Sequence, residues 1–270
     1  MKKKLLSLLF IPTLLLCSCK GAKITEDKAK ELATKIVANE DALEGKGTEI
    51  NISLKDNKNN VSYQIVTDKN ENAKLKVKGK ADGESLDFVI YTVKNEEHEE
   101  VSYIKDYNQE TKTYSEHVYS KKETPEYSTL TSAYTIQGLV PLLVVATFAD
   151  PVKVMENDEY KNGEYVDDGI TYNNKTEYFS TGERNLTIEV TQKYVSGEPI
   201  VDSEKGEKVE DEEYAKEMKL SITYDNLVIK SVNMSGKSNK GASISMKATV
   251  NINNSLKVEL PKNWKDLLNK

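Results

Sequence analysis

The chain contains few of the residues that build disulfides, metal sites and nucleophilic centres. Among its 270 residues there are only 2 cysteines and 2 histidines. Both cysteines, Cys17 and Cys19, lie in the first nineteen residues. A mature protein that begins at Cys19 keeps a single cysteine, which excludes an internal disulfide. We therefore expect the folded domain to be stabilised by its hydrophobic core alone.

Histidine is too scarce to indicate a metal site or a catalytic centre. His98 and His117 have glutamates nearby in sequence, but zinc sites need several nitrogen or sulfur ligands at defined spacing. The chain also lacks HExxH and Gly-x-Ser-x-Gly motifs. Residues 68–72 resemble the start of a calcium loop, but Ala73 stands where that loop needs glycine. We expect no catalytic residue, no metal site, no cofactor and no enzymatic activity.

Long hydrophobic runs and an excess of positive charge are also missing. The apolar run from Leu5 to Leu16 is shorter than the roughly 20 residues that a transmembrane helix needs. The formal net charge is −6, and removal of Lys2, Lys3 and Lys4 would lower it to −9. An acidic protein is poorly suited to bind nucleic acid or to adhere electrostatically to anionic lipid. We expect no nucleic-acid partner.

The most specific motif is at the N-terminus. Three lysines precede the apolar run, and Leu16-Cys17-Ser18-Cys19 follows it, which is typical of a secretory signal peptide. The last four residues resemble the lipobox of bacterial lipoproteins, which has leucine at −3, a small residue at −1 and cysteine at +1. The resemblance implies cleavage between Ser18 and Cys19 and a diacylglycerol on the Cys19 thiol. The alternative is an ordinary cleaved signal that leaves Cys19 as a free thiol.

Lipidation would fix both the location and the organisation of the chain. Two acyl chains anchor a protein stably, whereas one gives only reversible membrane binding. We therefore expect the mature protein on the extracytoplasmic face of a bacterial membrane. The predicted organisation is a signal peptide over 1–18, a lipidated tether over 19–24 and a single antiparallel β domain over 25–270.

Hydrophobic periodicity predicts a mainly β (α+β) domain with an N-terminal helix. Thr25 can cap a helix whose apolar residues recur at helical spacing up to Val37. From Ile50 onward the period changes to two, and Asp82-Gly83 is a strong hairpin signal. The run Phe88–Tyr91 is apolar at every position, which predicts a central strand. Successive strands with short turns indicate an antiparallel meander, which Leu256–Leu260 is expected to close.

The middle of the chain breaks this alternation. From about residue 126 to 155 it contains an apolar stretch on both sides of Pro141, and runs of this length are typically buried helices. We expect two short helices around Gly138, the second nearly all apolar. They would form a helical insertion that packs on one face of the sheet.

The order of elements resembles the LolA, LolB and LppX-like lipoprotein-carrier superfamily. The resemblance lies in the arrangement of helix, antiparallel strands, central apolar helices and further strands that end in Val258-Glu-Leu-Pro261. It implies a curved sheet or half-open barrel that binds or carries a lipid or acyl chain in a cavity between sheet and helices. The residues expected to line that cavity are Phe88, Ile90, Leu139, Leu142, Leu143, Val145, Phe148 and Ile222.

Two other functions stay open at this point. A structural or adhesin-type lipoprotein would have no cavity and would expose a tyrosine patch formed by Tyr160, Tyr165, Tyr172 and Tyr178. An enzyme would need a polar cleft with converging carboxylates or His117. The alternating lysines of residues 74–80 suggest either a surface for phosphate headgroups or anionic glycopolymers, or a solvated or edge strand protected from aggregation.

Overall fold

The structure is a computed structural model that describes residues 21–39, 45–94, 100–128, 131, 142–197, 213–262 and 264–267. Thirteen strands form one antiparallel sheet. The strands are β1 Ala22–Ile24, β2 Thr48–Lys55, β3 Asn60–Thr67, β4 Ala73–Ala81, β5 Glu84–Lys94, β6 Glu100–Asn108, β7 Thr113–Ser120, β8 Gly163–Asp167, β9 Ile170–Ser180, β10 Leu186–Gly197, β11 Ala215–Asp225, β12 Val228–Ser238 and β13 Ser243–Ile252. Helix α1 spans Glu26–Val37, α2 spans Pro151–Glu156 and α3 spans Trp264–Leu267; residues 142–147 are also helical, and a 3₁₀ turn spans Asp158–Tyr160.

The sheet consists of two antiparallel meanders, and the last strand of one pairs with the first strand of the other. Strands β2 to β7 follow one another in space as in sequence, and so do β9 to β13. β13 pairs with β2 and thereby joins the meanders, while β1 and β8 both pair with β9. The sheet is open, because no pairing between described strands joins β7 to β1, β8 or β9. The predicted mainly β, antiparallel domain is confirmed.

Helix α1 forms as its sequence predicts. The Thr25 side chain accepts a hydrogen bond from Lys28 N, and Glu26 and Asp27 complement the positive end of the helix dipole. Its buried face consists of Ala29, Leu32, Ala33 and Ile36. That face packs on the sheet, and it fixes which side of the sheet becomes the core.

Alternation along the strands gives the sheet two chemically different faces. The covered face carries Ile52, Ile188, Ile222, Val232 and Ala248, all at most 2% exposed and clustered with α1. The opposite face, here called the polar face, carries mainly serine, threonine, asparagine and lysine over β10 to β13 and β2 to β4. Helices can therefore pack only on one side of these strands.

The expected pair of central apolar helices is not confirmed. Residues 142–147 are helical, but Leu143 is 65% exposed, so this segment is not buried on all sides as predicted. The next helix, α2, is short and includes Lys153 and Glu156. Gly138 and most of residues 129–141 lie outside the described residues.

The C-terminal segment also differs from the prediction. Leu256–Leu260 is not a strand; instead Val258 N donates to the Asp68 carboxylate at 3.1 Å. Tethering to a buried side chain replaces strand pairing here. Helix α3 follows, and Trp264 packs against buried residues of β6 and β7. Across the described residues, every helix is too short or too polar to span a bilayer.

Candidate functional site

An apolar cleft opens at the C-terminal end of helix α1. Its volume is about 540 Å³, within the usual range for ligand pockets. We call it the α1 cleft. Four elements surround it, namely the end of α1, residues 146–150, helix α2 with the following turn, and the β11–β12 turn. Its lining residues are Ile36, Val37, Asn39, Ala146, Thr147, Phe148, Ala149, Asp150, Lys153, Val154, Asn157, Tyr160, Leu227, Val228 and Ile229.

The floor of the α1 cleft is apolar and its rim is polar. Ile36, Phe148, Val154 and Ile229 are each at most 7% exposed, because they also belong to the core on the covered face. Asn39, Asp150, Lys153 and Asn157 line the rim. The site thus offers apolar contact at its base and polar groups at its mouth.

Hydrogen bonds hold one wall of the cleft to the sheet. The Tyr224 hydroxyl, fully buried, donates to the Phe148 carbonyl at 2.7 Å. Burial raises the pKa of Tyr224 above its ordinary value, so the hydroxyl remains a donor. The Asp150 carboxylate caps α2 by accepting from Val152 N and Lys153 N at 2.9 and 3.2 Å. Asp150 is therefore engaged in a structural role.

The opposite wall is fixed by the β11–β12 turn. Asn226 and Leu227 both have positive φ angles, 52° and 65°. Leu227 N donates to Arg184 O at 3.1 Å, and the Asn39 side-chain amide donates to Leu227 O at 3.4 Å. The turn is thereby attached to both the β9–β10 connection and the end of α1.

The α1 cleft combines apolar side chains with one carboxylate and one ammonium group. Its charged side chains are Asp150 and Lys153, whose Oδ2 and Nζ lie 3.5 Å apart. His117 lies on β7, exposed and stacked on Tyr119. In the part of the chain that the structure describes, no group of three or more histidine, cysteine, aspartate or glutamate side chains could hold a metal.

The predicted cavity residues are not brought together in one site. Phe148 lines the α1 cleft, and Val145 is buried beside it in the same core cluster. Leu142 is half-buried, whereas the exposed Leu143 does not fit the predicted lining role. Leu139, Ser18 and Cys19 lie outside the described residues.

Phe88, Ile90 and Ile222 are buried on the covered face, but they do not reach the cleft. The register puts Phe88 and Ile222 in one row across β5 to β11. Six strand-to-strand steps of about 4.8 Å separate them, or roughly 29 Å along the sheet. Two side chains on the same face of the sheet are therefore not necessarily neighbours.

Sequence reasoning missed the residues at the ends of elements. Ile36 and Val37 belong to the predicted amphipathic helix. The apolar spacing of that helix does not show that the sheet leaves the last turn of the helix partly uncovered. Leu227 follows Asp225-Asn226, a pair typical of turns, and an apolar residue at such a turn is the sequence signal that could have indicated the site.

The predicted tyrosine patch is not a surface. Tyr172 and Tyr178 are each 7% exposed, Tyr160 is half-buried against Phe148, and Tyr165 is half-buried. The exposed patch expected of an adhesin is therefore not formed by these four residues.

Strand β1 begins at the same end of the sheet as the α1 cleft. Ala22 pairs with Ser180, the last residue of β9, in antiparallel register. Ser180 leads into the turn that contains Arg184, whose carbonyl contacts the cleft residue Leu227. No protein-family model matches the chain, and no curated protein sequence matches it.

Proposed function

We propose that this chain is a lipid-anchored bacterial surface protein that binds a lipid or acyl chain in the α1 cleft. The observation that carries the proposal is the apolar floor of that cleft, formed at the sheet end where the N-terminal strand is paired. The antiparallel sheet with a helix on its covered face is compatible with the LolA-like arrangement and with a curved, half-open form of it.

The proposed anchor is close in sequence to strand β1. Cys19 precedes Ala22 by three residues, and Ala22 is held on β9. An extended chain spans at most about 3.6 Å per residue, so the two Cα atoms are within roughly 11 Å of each other. Within the expected tether of residues 19–24, residues 22–24 form strand β1. A diacylated Cys19 would hold this end of the sheet against the bilayer.

Energetics favour a ligand that the membrane supplies. Each buried methylene contributes ~0.8 kcal/mol, so six of them contribute about 5 kcal/mol. Loss of translational and rotational freedom costs about 4 kcal/mol or more, so a short chain binds only weakly from water. Attachment beside the bilayer raises the effective concentration of lipid at the cleft mouth.

A direct binding titration tests the ligand site. The mature chain with Cys19→Ser would be titrated with a fluorescent fatty acid, and saturable binding is expected. Val37→Glu places a charge in the cleft lining and should weaken binding at least tenfold. Leu143→Glu, on an exposed side chain outside the lining, is the matched control and should leave binding unchanged. No saturable binding, or equal losses in both variants, would refute the site.

Membrane fractionation tests the anchor separately. Cys19→Ala should release the protein from the membrane or leave the precursor uncut, with loss of palmitate labelling. If the variant stays in the membrane fraction and is labelled as before, Cys19 is not the acylated residue.

A further inference from the structure

The polar face has a hollow of about 480 Å³ that contains several lysines. It spans β13, β2, β3 and β4. Three of its lining residues are Lys76, Lys78 and Lys247, and none is acidic. This local positive charge occurs in a chain whose formal net charge is −6. We call this feature the lysine hollow.

Strand register arranges eight of the ten lining residues as two rows of four. The other two, Ile52 and Tyr63, lie between these rows, and their side chains pack in the core on the covered face. One row is Lys247, Ser53, Ser62 and Lys78, and the other is Thr249, Asn51, Gln64 and Lys76. Strands are about 4.8 Å apart, so the Lys247 and Lys78 Cα atoms are roughly 14 Å apart across the sheet. Ammonium groups thus border a floor of hydroxyl and amide side chains. None of these eight residues is apolar.

Edge protection does not explain these lysines. β4 pairs with β3 and with β5, so it is an internal strand and the edge-strand interpretation of its lysines is wrong. A Lys-rich strand blunts aggregation only where its backbone groups are unpaired.

Internal ion pairing does not explain them either. Within the described residues, neither Lys76 nor Lys247 has an ion-pair partner within 4.0 Å, and Lys78 approaches Asp87 only at 3.8 Å. The nearby Glu49 accepts a hydrogen bond from the Gln64 amide at 2.7 Å. Lys76 and Lys247 consequently remain available to an external anion, and the long Lys78–Asp87 contact is on an exposed ammonium group.

The polar face continues into a second hollow beside the first. A second hollow of about 480 Å³ shares Ser53 and Lys247 with the first and adds Lys55 and Lys219, together with Glu189. Lys219 pairs with Glu217 at 3.2 Å, so Lys55 is the lysine that the second hollow adds without an ion pair among the described residues, and the two adjoining hollows form one polar track across the sheet. A track of this kind fits a linear ligand better than an isolated phosphate.

We propose that the lysine hollow binds a linear anionic glycopolymer whose sugar or polyol units are joined by phosphodiesters. Lysine ammonium groups are compact charges that pair with phosphate, while the hydroxyl and amide floor can hydrogen-bond sugar or polyol hydroxyls. A neutral glycan has no negative charge to pair with the lysine ammonium groups. An acyl chain would find no apolar side chain in the two rows. The site is on the face opposite α1, so the proposal is independent of the α1 cleft.

Binding by the full-length chain, extracted from membranes in a non-ionic detergent, tests this proposal. The probe is a synthetic poly(glycerol phosphate) of about ten units, with neutral dextran for comparison. Lys76→Gln, Lys78→Gln and Lys247→Gln combined should weaken binding at least tenfold. The log–log salt slope should fall by up to about 3, because each lysine–phosphate contact releases about one counterion.

The matched control removes three exposed lysines from outside the hollow, with Lys216→Gln, Lys230→Gln and Lys262→Gln combined. Less than a twofold loss is expected there. Equal losses in both triple variants would show attraction by net charge and overturn the site. Equal binding of dextran would also overturn it. Binding to vesicles of anionic lipid, without binding to the polymer, would assign the lysines to a membrane surface instead.

Discussion

The hydrogen bond from Tyr224 to the Phe148 carbonyl offers a direct test of how the cleft wall is held on the sheet. The Tyr224 hydroxyl is the donor, at 2.7 Å, and the ring is fully buried. Tyr224→Phe removes the donor and keeps the ring, so the packing of the covered face should be preserved. The Phe148 carbonyl would then lose a partner that water cannot readily replace.

The size of the effect follows from the cost of an unsatisfied buried group. That cost is about 1–3 kcal/mol. We expect Tyr224→Phe to lower the free energy of unfolding by about 1–2 kcal/mol, which corresponds to a fall of roughly 2–8 °C in Tm for a domain of this size. The local effect should be larger, with faster hydrogen exchange at the amides of Phe148 and Ala149, which close the turn at the end of the 142–147 segment.

Tyr178→Phe is the matched control. Tyr178 is buried in the same core cluster, and its hydroxyl forms no hydrogen bond with the described residues. Urea unfolding and hydrogen exchange of both variants separate the effect of losing the Tyr224–Phe148 hydrogen bond from the effect of removing a buried hydroxyl. If the two variants lose the same stability and exchange alike, the Tyr224 hydrogen bond does not hold the wall.

Three further substitutions test other contacts. Burial alone would raise the pKa of Asp68, but hydrogen bonds from Asn72, Val258 and Asn70 lower it below its ordinary value of 3.8. Asp68→Asn should therefore lower the free energy of unfolding by about 2–3 kcal/mol at pH 7. The wild-type advantage should shrink as pH falls below about 3.8 through the lower folded pKa, and an equal advantage at pH 2 and pH 7 in urea titrations would contradict this. Gly21→Ala adds a Cβ 2.3 Å from β9 backbone atoms at φ +83°, so the β1 amides should exchange faster, and unchanged protection would argue against tight docking. Val145→Ala should cost about 1–3 kcal/mol in thermal unfolding, against under 0.5 for Leu143→Ala, and the reverse order would contradict the burial of this segment.

Short sequence signals correctly predicted the elements that a few neighbouring residues determine. Thr25 and the apolar spacing that follows specify α1, and Asp82-Gly83 specifies the β4–β5 hairpin, in which both residues have positive φ. The run Phe88–Tyr91 lies in an internal strand as expected, paired with β4 and β6. Turn chemistry and period two act over a few residues, so a single sequence displays them.

The site depends on pairings that no local pattern encodes. β13 meets β2, and β1 meets β9, across most of the chain length. These pairings decide that Phe88 is far from Ile222 and that Ile36 comes close to Leu227. The lysine hollow likewise arises only when β13 places Lys247 in register with β4 through β2 and β3. Alternation predicted the residues on each face, but long-range pairing decides which of them become neighbours.

The seam between β13 and β2 has a consequence for how this protein matures. β2 to β7 can pair among themselves early in synthesis, but the outer edge of β2 gains its partner only when the last strand of the sheet arrives. Until then a row of backbone donors and acceptors on β2 is available to other chains. Loop closure over such a separation slows folding, so this edge stays open longer than the edges that hairpins close. A chain truncated before β13 would be an aggregation hazard rather than a smaller domain.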